Sequence, residues 1–332
     1  TGKSAAVLYP ALKAMGEGKT EKILYLTARN TARQSPLQTL ERLKERGLCA
    51  RVGVLTAKEK LCPAMTRCHP DDCERAKGHY LREGEATEEL LADNGVWTDE
   101  RIMAAAEKHR VCPFELALRL TELADVTLMD MNYVFDPFAQ VKRLMERRRR
   151  LTMLVDEAHH AVDRVRESLS GEMDSGALAP FRAAFGKARG RKHPYYLALG
   201  GLIKALRALE AGETGETGER RLDAPPRDVC DLVRRVVEEA QAVLAAPGGA
   251  SLSDLFAVLR LCVPFLFALE RLNEDYAVLL SAHGKERALC LYCLLPASDI
   301  AGATKGVRGA VFFSATLSPL PAMKRLLGGE EE

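Results

Sequence analysis

Four short apolar runs constrain the fold of this chain more than any other feature: Lys22–Thr27 and residues 51–56, 126–131 and 151–155. Each is too short for a helix and is bounded by polar residues, which suits a strand. The runs at 126–131 and 151–155 are continuously apolar rather than alternating, as expected of parallel strands covered on both faces. Helical patterning separates the runs, at residues 3–12, at 31–46 ending in Gly47, and at Pro113–Leu123 with proline in its first turn. Strands alternating with helices predict an α/β sheet with helices on both faces.

The pattern changes after residue 160. Leu, Ala and Arg dominate to about residue 275, strand signals vanish, and helical spacing recurs, most clearly at 227–244 and 252–272. Residues 212–218 form a short repetitive Gly-Glu-Thr loop. Strands are expected again at 276–281, 287–295 and 310–313. A helical insertion inside an α/β domain accounts for this order.

The net charge of +2 removes any bulk polyelectrolyte argument, so a nucleic-acid surface must be local. No apolar run reaches membrane-spanning length and no signal peptide opens the chain. Nine cysteines is an odd count for a disulfide framework, and 332 residues bury a core without staples. The expectation is a reducing, cytoplasmic setting, with some thiols as metal ligands and no membrane partner.

Three motifs carry chemistry. Thr1-Gly2-Lys3-Ser4 matches the end of the phosphate loop G-x-x-x-x-G-K-S/T, in which backbone amides cradle phosphates, the Lys reaches the β- and γ-phosphates of ATP and the hydroxyl holds Mg²⁺. Asp156-Glu157-Ala158-His159, a DEAH box, follows an apolar strand; an Asp there holds Mg²⁺ and a Glu orients or deprotonates the attacking water. Carboxylates at a strand's C-terminal end lie where ligands bind in open α/β sheets. Ser314-Ala315-Thr316 ends a third strand and sets two hydroxyls there.

Cys62, Cys68, Cys73 and Cys112 lie between the first two motifs. Their gaps are wider than the C-x₂₋₄-C pairs of structural zinc sites, and four irregularly spaced thiolates also suit a 4Fe–4S cluster. Spacing leaves zinc and iron–sulfur level. His69 and His79 could replace a ligand but are read as surface residues, Cys49 as core, Cys230 and Cys262 as helix packing, and Cys290 and Cys293, on opposite faces of one strand, as core rather than a second metal site. Two basic stretches, residues 147–150 and Arg182 through Lys192, could contact phosphates or simply be solvated.

The order G-K-S, four cysteines, D-E-A-H, helical insertion, S-A-T, together with Cys112-Pro113-Phe114 and Asn132-Tyr133, resembles the iron–sulfur superfamily 2 DNA helicases of the XPD/DinG group, bacterial DinG-like members above all. The resemblance implies a P-loop NTPase (RecA-like) first motor domain with two insertions. Residues 1–56, 113–160 and 286–332 would be the motor domain, 57–112 an iron–sulfur domain and 161–285 a helical Arch domain. It implies a 4Fe–4S cluster on the four cysteines, ATP on Gly2, Lys3 and Ser4, Mg²⁺ on Ser4 and Asp156, and catalysis by Lys3, Asp156 and Glu157. Ser314 and Thr316 would couple the sites, and Thr27 and Arg29 would lie on the DNA side. The implied activity is ATP-driven 5′ to 3′ translocation on single-stranded DNA or single-strand/duplex junctions, in DNA repair or replication. No second motor domain follows Thr316, so the chain is expected to be a piece that binds nucleotide weakly and does not unwind DNA alone. The rival reading is a nucleic-acid-binding iron–sulfur or zinc module without ATP turnover.

Overall fold

The structure, a computed structural model, describes residues 2–28, 30–63, 68–146, 148–210, 219–245 and 252–329. Its strands in chain order are β1 (Lys22–Thr27), β2 (Val52–Leu55), β3 (Val126–Asp130), β4 (Leu151–Asp156), β5 (Gly171–Asp174), β6 (Glu219–Leu222), β7 (Tyr276–His283), β8 (Glu286–Cys293) and β9 (Gly309–Phe313). Two compact units result: residues 1–162 with 299–332, and residues 163–298.

The first unit holds a five-stranded sheet in the order β2-β3-β1-β4-β9, with every pairing parallel. The continuous apolar runs explain it: β1, β2 and β4 are buried almost end to end, so helices must cover both faces. On one face Leu8 and Ala11, from the helix Lys3–Gly16, pack with Ile23, Tyr25, Val126, Leu128 and Leu154. Parallel register sets all the C-terminal strand ends along one edge: Thr27 lies beside Asp130, and Asp156 beside Phe313. The path turns from β3 on one side of β1 to β4 on the other, which makes this edge a topological switch point.

The segment between β2 and β3 is tied to the sheet. Trp97, 1% exposed, bridges Gly53, and Val54 N–H donates to its carbonyl at 3.1 Å. The indole N–H donates to the Leu90 carbonyl at 2.8 Å. Glycine at 53 eases this approach, since a Cβ there would sit 3.3 Å from the indole ring and press on it. The polar stretch before Cys112 forms two helices, His79–Ala92 and Asp99–Lys108, broken so that Trp97 can reach the edge of β2.

The second unit is not purely helical, contrary to expectation. Helices Ser175–Arg189, Pro194–Ala208, Arg227–Ala245 and Leu252–Glu270 accompany a four-stranded antiparallel sheet, β5-β8-β7-β6. Strands β5 and β6 have four residues each, and β6 reads Glu-Arg-Arg-Leu, so neither shows an apolar run. Their partners supply the pairing. The sequence boundary at 285/286 also moves: it would cut the hairpin of β7 and β8, which stays whole inside this unit to Ser298. The glycine-rich residues 212–218 lie outside the described residues.

Candidate active site and cysteine cavity

The C-terminal edge of the first sheet gathers the predicted motif residues. Lys3 and Ser4 open the helix Lys3–Gly16, whose N-cap is Gly2; Thr1 lies outside the described residues. Asp156 ends β4. Glu157 follows with φ of 49°, a left-handed conformation uncommon outside glycine that turns its side chain back over the strand ends. Its N–H donates to Asp156 Oδ1 at 2.8 Å.

Glu157 receives two donors: Lys3 Nζ at 2.9 Å on Oε1 and Ser314 Oγ at 3.0 Å on Oε2. The hydrogen bond from Lys3, reinforced by its charge and by Ser314, holds the Glu157 carboxyl below the usual carboxylate range. The reciprocal bond raises the Lys3 ammonium. Both side chains are about a third exposed, at 37% and 32%, so water screens the pair and its stabilising effect is small. Ser314 spends its one proton on Glu157. His159 Nδ1, 2.7 Å from Ser314 Oγ, must then be the protonated nitrogen and donate to it. Thr316 Oγ1 lies 3.3 Å from the same nitrogen. Lys3, Glu157, Ser314, His159 and Thr316 thus form one chain of hydrogen bonds.

Asp156 has a partner that the motifs do not reveal. The Tyr25 hydroxyl donates to Asp156 Oδ2 at 2.9 Å and lies 3.3 Å from Ser4 Oγ. One phenolic proton cannot serve both, and the carboxylate is the stronger acceptor. Burial first, then the nearby acidic charges, push the phenol above its ordinary range. Ser4, 7% exposed, also lies 3.1 Å from Ser35 Oγ. The signal for Tyr25 is a phenolic hydroxyl flanked by leucines in the middle of a buried strand.

Thr27 does not fit its expected role. It is fully buried and its hydroxyl donates to the Met129 carbonyl at 3.4 Å, because it still lies within the paired length of β1. It presents no side chain to DNA. Arg29 lies outside the described residues, as does Arg147 of the first basic stretch.

The four predicted cysteines line one cavity of about 280 Å³, with Lys58 and His79. Cys62 follows the turn Lys58–Leu61, and Cys112 caps the helix Pro113–Leu123. Burial pushes the Cys112 thiol up, against the lowering influence of the Glu115 and Phe114 amides. Lys58 is raised chiefly by its hydrogen bond to Cys68, so a cation already faces the thiols. Among the described residues no three His, Cys, Asp or Glu side chains converge tightly enough for a single metal ion. Four sulfurs around one cavity fit a cluster held from several directions.

Two expected placements are corrected here. His79 is 2% exposed rather than a surface residue, and its Nδ1 accepts the Cys112 N–H at 3.3 Å. Cys49 is exposed rather than core, because it precedes β2 instead of joining it. Cys230, Cys262 and Cys293 are buried and Cys290 is partly so.

Residues 29–178 match the DEAD_2 family. Over 155 residues the chain is 26% identical to "Regulator of telomere elongation helicase 1" of Homo sapiens, covering 43% of this chain and 13% of that protein. It is 33% identical over 89 residues to the Aedes aegypti homolog, covering 27% of this chain and 9% of that one. The matched stretches are thus about a tenth of these relatives' length. A solved XPD helicase superposes on 99% of this chain and 56% of its own, with a TM-score of 0.62 at 13% identity. A truncated XPD superposes on 100% and 91%, with a TM-score of 0.60 at 14% identity. Identity this low carries the fold alone.

Proposed function

We propose that this chain is the first motor domain of an ATP-dependent DNA helicase of the XPD/DinG superfamily 2 type, moving 5′ to 3′ on single-stranded DNA; the DEAD_2 match, the XPD-like fold and the telomere-elongation-helicase relatives support the reading. The observation that carries the reading is the convergence of Lys3, Asp156, Glu157 and Ser314 on one edge of the parallel sheet. Lys3 neutralises the β- and γ-phosphates of ATP; to do so it exchanges Glu157 for a phosphate oxygen. Glu157, freed of Lys3 but still held by Ser314, orients the attacking water. Ser4 and Asp156 would hold Mg²⁺, which would supply positive charge to offset that developing on the phosphates. Tyr25 keeps the Asp156 carboxylate aimed outward. Ser314, bonded directly to Glu157, and Thr316, linked to Ser314 and to His159, pass the state of the nucleotide to the DNA side.

In this reading residues 57–112 carry a 4Fe–4S cluster on Cys62, Cys68, Cys73 and Cys112, and the second unit is the Arch insertion. What supports the cluster is the shared cavity and the lysine facing it. The cluster would cross-link Cys62, Cys68 and Cys73, which lie between the turn Lys58–Leu61 and the helix His79–Ala92, to Cys112 at the start of the helix Pro113–Leu123. Replacing Cys112 with Ser is expected to remove iron and the visible absorbance and to make residues 57–112 protease-sensitive. Retained iron with unchanged protease resistance would show that the ligand set is wrong, and stoichiometric zinc without iron would favour the zinc alternative.

The motor reading is tested by nucleotide binding and by DNA-stimulated ATP hydrolysis. Lys3→Ala removes charge-assisted contacts to phosphate and is expected to weaken ATP binding by about 1.5–3 kcal/mol, roughly 10- to 150-fold. Stimulated turnover should disappear with it. DNA binding without any turnover in the unaltered protein would leave the binding-module reading instead. No helix among the described residues is long and apolar enough to cross a membrane.

A further inference from the structure

The second basic stretch, left open by the sequence, folds into a defined niche within the second unit. Arg182 and Lys187 on the helix Ser175–Arg189, and Arg191 just beyond it, line a cavity of about 180 Å³ with Tyr196 and Arg207. The Arg182 guanidinium stacks on the Tyr196 ring, 4.1 Å from its centroid, and Nε donates to the Tyr196 carbonyl at 3.4 Å. Two helical glycines make the room. A Cβ at Gly186 would come within 2.5 Å of the Tyr196 ring, and one at Gly200 within 2.6 Å of Arg182 Nε. The arginine fork is therefore held in one orientation before any ligand arrives, which lowers the entropy cost of binding.

The charges are not equally free. Arg207 is spent on Glu286 by two bonds, at 2.8 and 2.7 Å, and Ser175 adds a third contact to that carboxylate. Arg182, Lys187 and Arg191 have no carboxylate partner among the described residues. Three uncompensated cations around one small cavity call for an anion, and a planar fork at its wall suits two oxygens of one group.

We infer that this niche binds a backbone phosphate of single-stranded DNA, a contact in the second unit separate from the nucleotide site. The inference rests on the DNA-motor reading for its choice of phosphodiester. Arg182 takes two phosphate oxygens, while Lys187 and Arg191, exposed at the rim, neutralise the neighbouring charge and release counterions.

The test is fluorescence anisotropy of a labelled oligothymidine with the full chain over a series of salt concentrations. The double variant Lys187→Gln/Arg191→Gln removes two exposed cations and should fold normally. It is expected to lower the slope of log affinity against log salt by roughly 1.4, at about 0.7 per contact. Gly186→Ala changes no charge but displaces Tyr196 and loosens Arg182, and should lower the slope by roughly 0.7. Unchanged affinity and slope in both variants overturn the proposal while the motor reading stands. No oligonucleotide binding by the unaltered chain at any salt sinks both. Saturation of the niche by inorganic phosphate at matched ionic strength, with oligonucleotide binding unmoved in both variants, assigns a free-anion site and overturns the phosphodiester.

Discussion

Replacing Glu157 with Gln is expected to slow ATP hydrolysis by roughly 10²- to 10⁴-fold, the usual worth of a positioned general base, while nucleotide still binds. The substitution keeps the shape and leaves an acceptor for Ser314, so the strand ends should not rearrange. It removes the charge that polarises water, and it also frees Lys3, whose ammonium is bonded to Glu157 at 2.9 Å. Phosphate affinity should therefore hold or rise as turnover falls. Single-turnover hydrolysis beside an equilibrium nucleotide titration separates the two effects, and a rate within threefold of the unaltered protein would rule Glu157 out as the base. Acidity follows the same logic. The carboxyl is held down by Lys3, so it stays ionised to below the ordinary glutamate pKa of about 4.3. Activity that depends on the carboxylate is present above that value and is lost only as pH falls through the depressed one. Exchange of Lys3 would move that limb upward.

Gly171→Ala is expected to destabilise the second unit by about 3 kcal/mol or more. Its backbone does not require glycine, because its φ is not in the left-handed region. Alanine would on that ground alone favour folding slightly by restricting the unfolded chain. Space decides otherwise. A Cβ would lie 2.3 Å from Phe265 Cα and 2.6 Å from its nitrogen, and both are backbone atoms of the helix Leu252–Glu270, with no rotamer to yield. Strand β5 would have to leave the helix or leave β8. In a thermal scan the transition of residues 163–298 should fall by about 10 °C, while nucleotide affinity in the first unit holds. An unshifted transition would mean that the strand–helix approach is looser than described.

Much of the first unit was legible because its strands are buried on both faces and so carry continuous apolar runs. The motif residues were legible because each sits at a strand end or helix start, where chemistry demands a particular side chain. What escaped depended on partners distant in sequence. Tyr25 reads as one more residue of a buried strand until Asp156 is placed across from its hydroxyl. Trp97 sits in a polar stretch and becomes core only when β2 lies beside it. Thr27 looks available beside a strand end, yet pairing with Asp130 extends the strand through it. Strands β5 and β6 are paired by register with β8 and β7, and four residues with charged side chains give no periodicity to read.

The docking of Trp97 on β2 has a further result. β2 is an outermost strand of the five-stranded sheet, and an outermost strand offers unpaired amides and carbonyls to any passing chain. Trp97 occupies that flank, taking the Val54 N–H and giving its own N–H to the Val52 carbonyl at 2.9 Å. The cysteine-bearing segment is thus also a guard against self-association. A chain in which that segment is excised, or unravelled by loss of its ligands, should aggregate through β2 even where every residue of the nucleotide site is intact.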